Sequence, residues 1–269
     1  MKQGVLHSIQ TLGAVDGPGL RTVVVLQGCP LQCSFCHSID TTLADRGEHI
    51  DTDELVSRIM RNKPYWQRYI RRNETRVIPE PELHGGVTIT GGDPLAQPVF
   101  LEELLSELKK LDVHTVVETS LYTSEHVLEM LIDKVDLWMI SIKHMDEWKH
   151  LEISGKPNKS IHTNLRWLDE KLTEMGRKES IRIRYVVVPG LTDGEEDIKA
   201  LGRFVSRIRN LESIELLPYV TLGRYKWIEL FGSYKLDSTE PATQEDIDRV
   251  AMVLREFKLP IMKHNKISV

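Results

Sequence analysis

Cys29, Cys33 and Cys36 are the only cysteines in a chain of 269 residues, and they fall within eight consecutive positions. The run Cys29-Pro30-Leu31-Gln32-Cys33-Ser34-Phe35-Cys36-His37 spells C-x3-C-x2-C. A disulfide framework spreads an even number of cysteines along a short secreted chain, so an odd, clustered set points to a metal or cluster site in a reducing compartment. Three thiolates on one short loop can hold three corners of a [4Fe-4S] cube, and with no fourth cysteine one iron stays open. An open coordination position separates a reactive metal site from a closed structural one. Two other chemistries use the same residues. Zinc would need His37 as its fourth ligand, but neighbours such as Cys36 and His37 cannot easily supply two corners of one tetrahedron. A redox pair of Cys33 with Cys36 leaves Cys29 without a task.

The loop must be carried by regular elements. Leu20–Gln27, Gly86–Thr90, Val113–Thr119, Val135–Ile142, Ile181–Val188 and Ser213–Leu217 are short apolar, β-branched runs that predict six strands, the first ending just before Cys29. Between them, helical faces are formed by Leu101, Leu104, Leu105, Leu108 and Leu111, by Ile198, Leu201, Phe204, Val205 and Ile208, and by Ile247, Val250, Ala251 and Leu254. Asp51 with Glu54, and Thr243 with Asp246, have the spacing of capping boxes. Alternating strands and helices imply an α/β fold with a parallel sheet, either doubly wound or a complete or partial barrel. No linker or low-complexity run divides the chain, so a single domain over 1–269 is expected, with an irregular insertion at about 61–85. Arginines 68, 71, 72 and 76 in that insertion read as a solvated face rather than a docking patch.

Composition excludes several classes. With 35 Lys+Arg against 40 Asp+Glu the net charge is −5, which argues against nucleic acid as a partner. The longest apolar stretches, such as Val23–Leu26, fall far short of the ~18 residues that span a bilayer, and no secretory leader is recognisable at Met1-Lys2-Gln3-Gly4. A cytoplasmic protein without membrane contact is expected, and nothing indicates an obligate interface, so a monomer is expected.

The motif C-x3-C-x-aromatic-C after a first strand resembles the signature of radical S-adenosylmethionine (SAM) enzymes. Val15-Asp16-Gly17-Pro18-Gly19-Leu20-Arg21 is similar to the run found before it in activases of glycyl radical enzymes. The likeness continues through Arg184–Gly190, Glu215–Tyr219, Leu222-Gly223 with Lys226-Trp227, and Tyr234–Asp237. It implies a single-domain partial (β/α)6 TIM-like barrel of the radical SAM type, with SAM over the C-terminal strand ends. It further implies an oxidoreductase that cleaves SAM reductively and takes a hydrogen from a backbone glycine of pyruvate formate-lyase or a related glycyl radical enzyme, with a flavodoxin or ferredoxin-type reductant. The missing cysteines of an accessory ferredoxin-like insert favour the formate-lyase branch.

Residue by residue, the resemblance makes Cys29, Cys33 and Cys36 the cluster ligands and lays Phe35, Cys36 and His37 along the adenine. Gly91 and Gly92 match glycines that let backbone approach the methionine ammonium. Lys143 and Arg184 match cations beside the SAM carboxylate, with Ile142 adjoining Lys143. Asp16 matches an acidic residue that touches the substrate's glycine loop.

The chain also departs from the pattern. Asp93 stands for Glu, Glu118 for Asp, Ser141 for Asp, Val220 for His, and Thr42 for Trp. The two aspartates help hold a monovalent cation or the SAM ribose in the relatives; serine still hydrogen-bonds but brings no charge. Asp93, Ser141 and Val220 motivate a competing expectation, a radical SAM enzyme with another glycyl radical enzyme or a small molecule as target; a third expectation, of another class, is a non-catalytic cluster or electron-transfer protein that has lost SAM binding.

Overall fold

The computed structural model describes residues 2–66 and 85–263, together with the strand segments 69–72 and 76–79. Its strands are β1 (Gln3–Gly13), β2 (Arg21–Leu26), β3 (Glu48–Asp51), β4 (Tyr69–Arg72), β5 (Arg76–Pro79), β6 (Gly86–Gly91), β7 (Thr115–Thr119), β8 (Leu137–Ser141), β9 (Ile181–Val187), β10 (Leu211–Pro218) and β11 (Ile261–Lys263). Its α-helices are α1 (Thr52–Met60), α2 (Pro98–Lys110), α3 (Glu125–Leu131), α4 (Glu147–Ser154), α5 (Lys159–Glu174), α6 (Glu195–Val205), α7 (Arg224–Phe231) and α8 (Gln244–Arg255). Two compact units are formed. One comprises Met1–Cys29, Leu43–Thr119 and His126–Trp138, the other Pro30–Thr42, Ser120–Glu125 and Met139–Val269.

In the first unit the strand order is β7-β6-β2-β1-β3. β2 and β6 run parallel, with Arg21 opposite Gly86 and Leu26 opposite Gly91, and β6 pairs parallel with β7. β1 turns back antiparallel onto β2, and β3 lies antiparallel on β1. Every residue of β2 is buried, which explains its unbroken Val-rich run: a parallel strand covered on both faces carries no polar alternation. α2 buries Phe100, Leu101, Leu104, Leu105 and Leu108. The antiparallel pair β4–β5 falls within the expected insertion. The side chains of the arginines at 68, 71, 72 and 76 lie outside the described residues.

In the second unit β9, β10 and β11 run parallel in that order, and the last three residues of β8, Met139–Ser141, belong to it as well. Helix α6 buries Ile198, Leu201, Gly202 and Val205, and α8 buries Ile247, Val250, Ala251 and Leu254. The second capping expectation is met: Thr243 Oγ1 accepts from the Asp246 N–H while the Asp246 carboxylate accepts from the Thr243 N–H. The first is not. Asp51 does precede α1 but makes no capping bond through its side chain, because it ends β3 opposite Gln3, and Glu54 is turned to Arg58 at 2.5 Å instead of back toward the helix start. The α6 face also stops at Val205, leaving Ile208 beyond the helix.

Candidate active site

In the second unit, Pro30–Thr42 is a loop clamped from two sides. On one side, the backbone N–H groups of Gln32 and Ser34 donate to the carbonyls of Ser154 and Ile153, at 2.9 and 2.8 Å. Those carbonyls end α4, where a helix has no internal donor left for them. On the other side, the Trp227 indole N–H of α7 donates to the Cys36 carbonyl at 2.8 Å, and Lys226 Nζ reaches Asp40 Oδ1 at 2.8 Å. Gly223, just before α7, fits only because it has no side chain: a Cβ there would stand 2.4 Å from His37 Cα and 2.9 Å from the Cys36 oxygen. Within the loop, the Cys36 N–H donates to the Cys33 carbonyl at 2.9 Å.

Cys33 is buried and Cys36 half-buried. Desolvation, followed by the neighbouring Cys33 sulfur, pushes the Cys36 thiol up to about 12. Paired thiolates are therefore unfavourable there until cationic metal compensates them. Among the described residues no three His, Cys, Asp or Glu side chains converge on a point where one metal ion could sit. A cluster asks for less convergence, because each thiolate binds its own iron; the donor set fits an iron-sulfur cluster better than zinc.

Lys143 stands near this loop, and Arg184 lies on β9 of the same unit. Lys143 follows β8, with its Nζ 5.8 Å from the centroid of the buried Phe35 ring, and its charge acts on Cys36. Ile142 donates its N–H to the Arg184 carbonyl at 3.1 Å, which sets the end of β8 against β9. Arg184 is buried, and its Nε lies 2.7 Å from Oε2 of the buried Glu215, the residue opposite it on β10. Ser141 closes β8, and Val220 immediately precedes the short turn Thr221–Gly223. Beside the loop's clamp, Tyr219 and Tyr234 share a hydroxyl hydrogen bond of 2.8 Å, and the Tyr234 ring lies 5.9 Å from that of Trp227.

The first unit gathers the remaining expected residues at the ends of β2, β6 and β7. Gly91 has φ +143°, and a Cβ there would stand 2.0 Å from the Leu26 oxygen. The Gly92 N–H donates to Leu26 O at 3.0 Å and the Asp93 N–H to Gly28 O at 2.8 Å, directly before Cys29. Asp93 is buried, and its Oδ1 accepts from the Leu95 N–H at 3.1 Å and from Thr119 Oγ1 at 2.8 Å. It thus caps the turn Pro94–Ala96 and ties β6 to β7. Glu118 accepts from Thr90 Oγ1 at 2.9 Å.

Asp16 is placed apart from that group, in the loop that enters β2. Its carbonyl accepts from Thr88 Oγ1 at 2.5 Å. The loop is fastened by the fully buried Arg21, which donates to Thr88 Oγ1, Pro18 O, Val87 O and His114 O at 2.7, 2.8, 2.7 and 3.1 Å. Asp16 therefore enters from the start of β2 and β6, whereas Gly91 and Gly92 are at their finish.

Glu215, Trp227 and Gly223 were not singled out as site residues from the sequence. The signal each carried was its place in the runs Glu215–Tyr219 and Leu222-Gly223 with Lys226-Trp227 that bear the resemblance, with Gly223 three and Trp227 seven residues after Val220.

The Radical SAM superfamily model matches residues 23–202. The pyruvate formate-lyase-activating enzyme of Staphylococcus epidermidis (strain ATCC 12228 / FDA PCI 1200) is 38% identical over 254 residues, 92% of this chain and 93% of that one. The enzyme of the same name from Staphylococcus aureus (strain USA300) matches equally, at 38% over the same shares. Among solved structures, a domain of pyruvate-formate lyase-activating enzyme from Bacteroides vulgatus ATCC 8482 superposes with a TM-score of 0.55 at 25% identity, covering 67% of this chain and 99% of that chain. A radical SAM methyltransferase from Sphaerobacter thermophilus gives 0.63 at 16% identity over 91% and 66%, which speaks for the fold alone. The chain belongs to the radical SAM superfamily and, within it, to the family of the pyruvate formate-lyase-activating enzymes. The expected α/β fold of the radical SAM partial-barrel type is borne out. Membership implies a [4Fe-4S] cluster and SAM as cofactors and a glycyl radical enzyme as partner. No helix among the described residues is long and apolar enough to cross a membrane.

Proposed function

We propose that this protein is a radical SAM activase that takes a hydrogen atom from a backbone glycine of pyruvate formate-lyase. The reading is carried by the clamped loop of Cys33 and Cys36 with Lys143 over the Phe35 ring, and is supported by the 38% identity over most of the chain. Cluster and SAM together supply a one-electron cleavage that yields a hydrogen-abstracting carbon radical.

This chain's own residues position that chemistry. Cys29, Cys33 and Cys36 hold three irons and leave one open. Gly91 and Gly92 admit the methionine ammonium, while Lys143 and Arg184 hold its carboxylate. Phe35, the Cys36 and His37 backbone, Ile142 and Val220 line the adenine, and Val220 offers it apolar contact only. Asp93 acts through the strand-end turn that it caps. Glu118 and Ser141 face the ribose, and the loss of one carboxylate at Ser141 weakens any monovalent cation site there. Asp16 is assigned to the target's glycine loop by the resemblance alone; its place in the loop entering β2, away from Gly91 and Gly92, adds nothing to that assignment. The whole of 1–269 is taken as one radical SAM core, monomeric and cytoplasmic, with a flavodoxin or ferredoxin-type donor.

The test is anaerobic reconstitution with iron and sulfide, reduction, and incubation with SAM and pyruvate formate-lyase. A glycyl radical EPR signal together with 5′-deoxyadenosine supports the proposal. 5′-Deoxyadenosine without the radical would move the target to another substrate, as Asp93, Ser141 and Val220 motivate. A cluster signal indifferent to SAM would reduce the protein to a cluster carrier.

A further inference from the structure

We infer that Trp227 is a positioning residue for Cys36, fixing the third cysteine of the loop through its backbone carbonyl. The inference rests on the reading of Cys36 as a cluster ligand, and it concerns how this chain holds that ligand.

An indole N–H is a donor only, so a buried tryptophan needs an acceptor. Trp227 is 4% exposed, and its acceptor is the Cys36 oxygen at 2.8 Å. The Cys36 N–H is meanwhile committed to Cys33 at 2.9 Å. The residue is thus held on both sides, and its side chain has only χ1 left to set where the sulfur points. The ring itself has little freedom, since Phe231 and Tyr234 pack at 5.3 and 5.9 Å and Tyr234 is tied to Tyr219. Gly223 brings the start of α7 against the Cys36–His37 backbone, and the Lys226–Asp40 ion pair fastens the turn that follows. A phenylalanine in place of Trp227 keeps the apolar packing but removes the indole donor to this carbonyl.

The experiment compares Trp227→Phe and Trp227→His with the wild type in two states. In the cluster-free protein, iodoacetamide labelling read peptide by peptide should be several-fold faster at Cys36 in Trp227→Phe and unchanged at Cys33. Trp227→His, whose ring can still donate, should label near the wild-type rate. In the reconstituted protein, Trp227→Phe should bind SAM about tenfold more weakly, as read by the SAM-induced change in the EPR spectrum of the reduced cluster. Wild-type labelling and wild-type SAM titration in a folded Trp227→Phe would overturn the inference. If Trp227→Phe does not fold by circular dichroism, Trp227→His decides: protection of Cys36 sustains the inference, and fast labelling in a folded Trp227→His overturns it. Because labelling needs no cluster, failure of the wild type to hold one would count against the proposed function and leave this result standing.

Discussion

Arg184 Nε and Glu215 Oε2 lie 2.7 Å apart on neighbouring strands, and both side chains are buried. The pair places a guanidinium in a low-dielectric site without leaving its charge uncompensated. Arg184 carries the planar fork that suits a carboxylate, and its Nε edge faces Glu215.

Removing one partner of such a pair costs about 3–5 kcal/mol, because the other is left as a buried lone charge. Glu215→Gln should therefore lower the unfolding free energy by that order. The double variant Arg184→Met/Glu215→Leu should recover most of it while losing SAM affinity. Urea denaturation and SAM titration separate the two effects; equal instability of single and double variants would refute the compensation.

Gly91→Ala should fail at the end of β6. The new methyl would meet the Leu26 carbonyl at 2.0 Å with φ at +143°. Strain of the dihedral alone is on the order of 1–3 kcal/mol, and the clash adds to it. A fall in melting temperature with reduced iron uptake is expected, whereas Gly155→Ala, with nothing within 4 Å of the added Cβ, should cost only its dihedral strain.

Arg21→Met should loosen the loop that carries Asp16. Thr88 Oγ1 and the carbonyls of Pro18, Val87 and His114 would lose this donor, and each buried polar group left without one costs roughly 1–3 kcal/mol. Limited proteolysis should cut between Asp16 and Leu20 in this variant well before the wild type. An unchanged cleavage pattern would show that the guanidinium does not hold the loop.

Stability should decline as pH falls from about 6.5 to 4. Burial, followed by the Arg166 charge, pushes His162 down to about 4, and burial also lowers His144 and His150. A depressed histidine is neutral in the folded chain while the unfolded chain takes up protons below its ordinary value of ~6.5, so acid favours unfolding. His162 is partly exposed, and after solvent screening its share between pH 7 and pH 5 is on the order of 1 kcal/mol. His162→Gln should flatten that part of the profile of chemical denaturation against pH; an unaltered slope would assign it elsewhere.

The elements that position the cysteine loop were legible because burial dictates their residue types. Ile181–Val188 was expected and Ile181–Val187 is found; Leu20–Gln27 was expected and Arg21–Leu26 is found. β1 was missed because its outer half, through Gln10 and Leu12, is largely exposed and carries no clean alternation. β11 spans only three residues, too few for any period to register. The cysteines and Lys143 were legible from spacing and resemblance. Trp227 and Glu215 were not, since their partners, Cys36 and Arg184, lie 191 and 31 positions away and only the fold brings them together.

The pairing of α4's last carbonyls with the cysteine loop has an electronic consequence. The amides of Gln32 and Ser34 point at Ser154 and Ile153, and that of Cys36 points at Cys33. Three N–H dipoles of this loop are thereby spent on oxygen and give nothing to sulfur. Fewer donors to sulfur leave an iron-sulfur centre harder to reduce, so these three amides would do nothing to raise the potential of a cluster held by the loop.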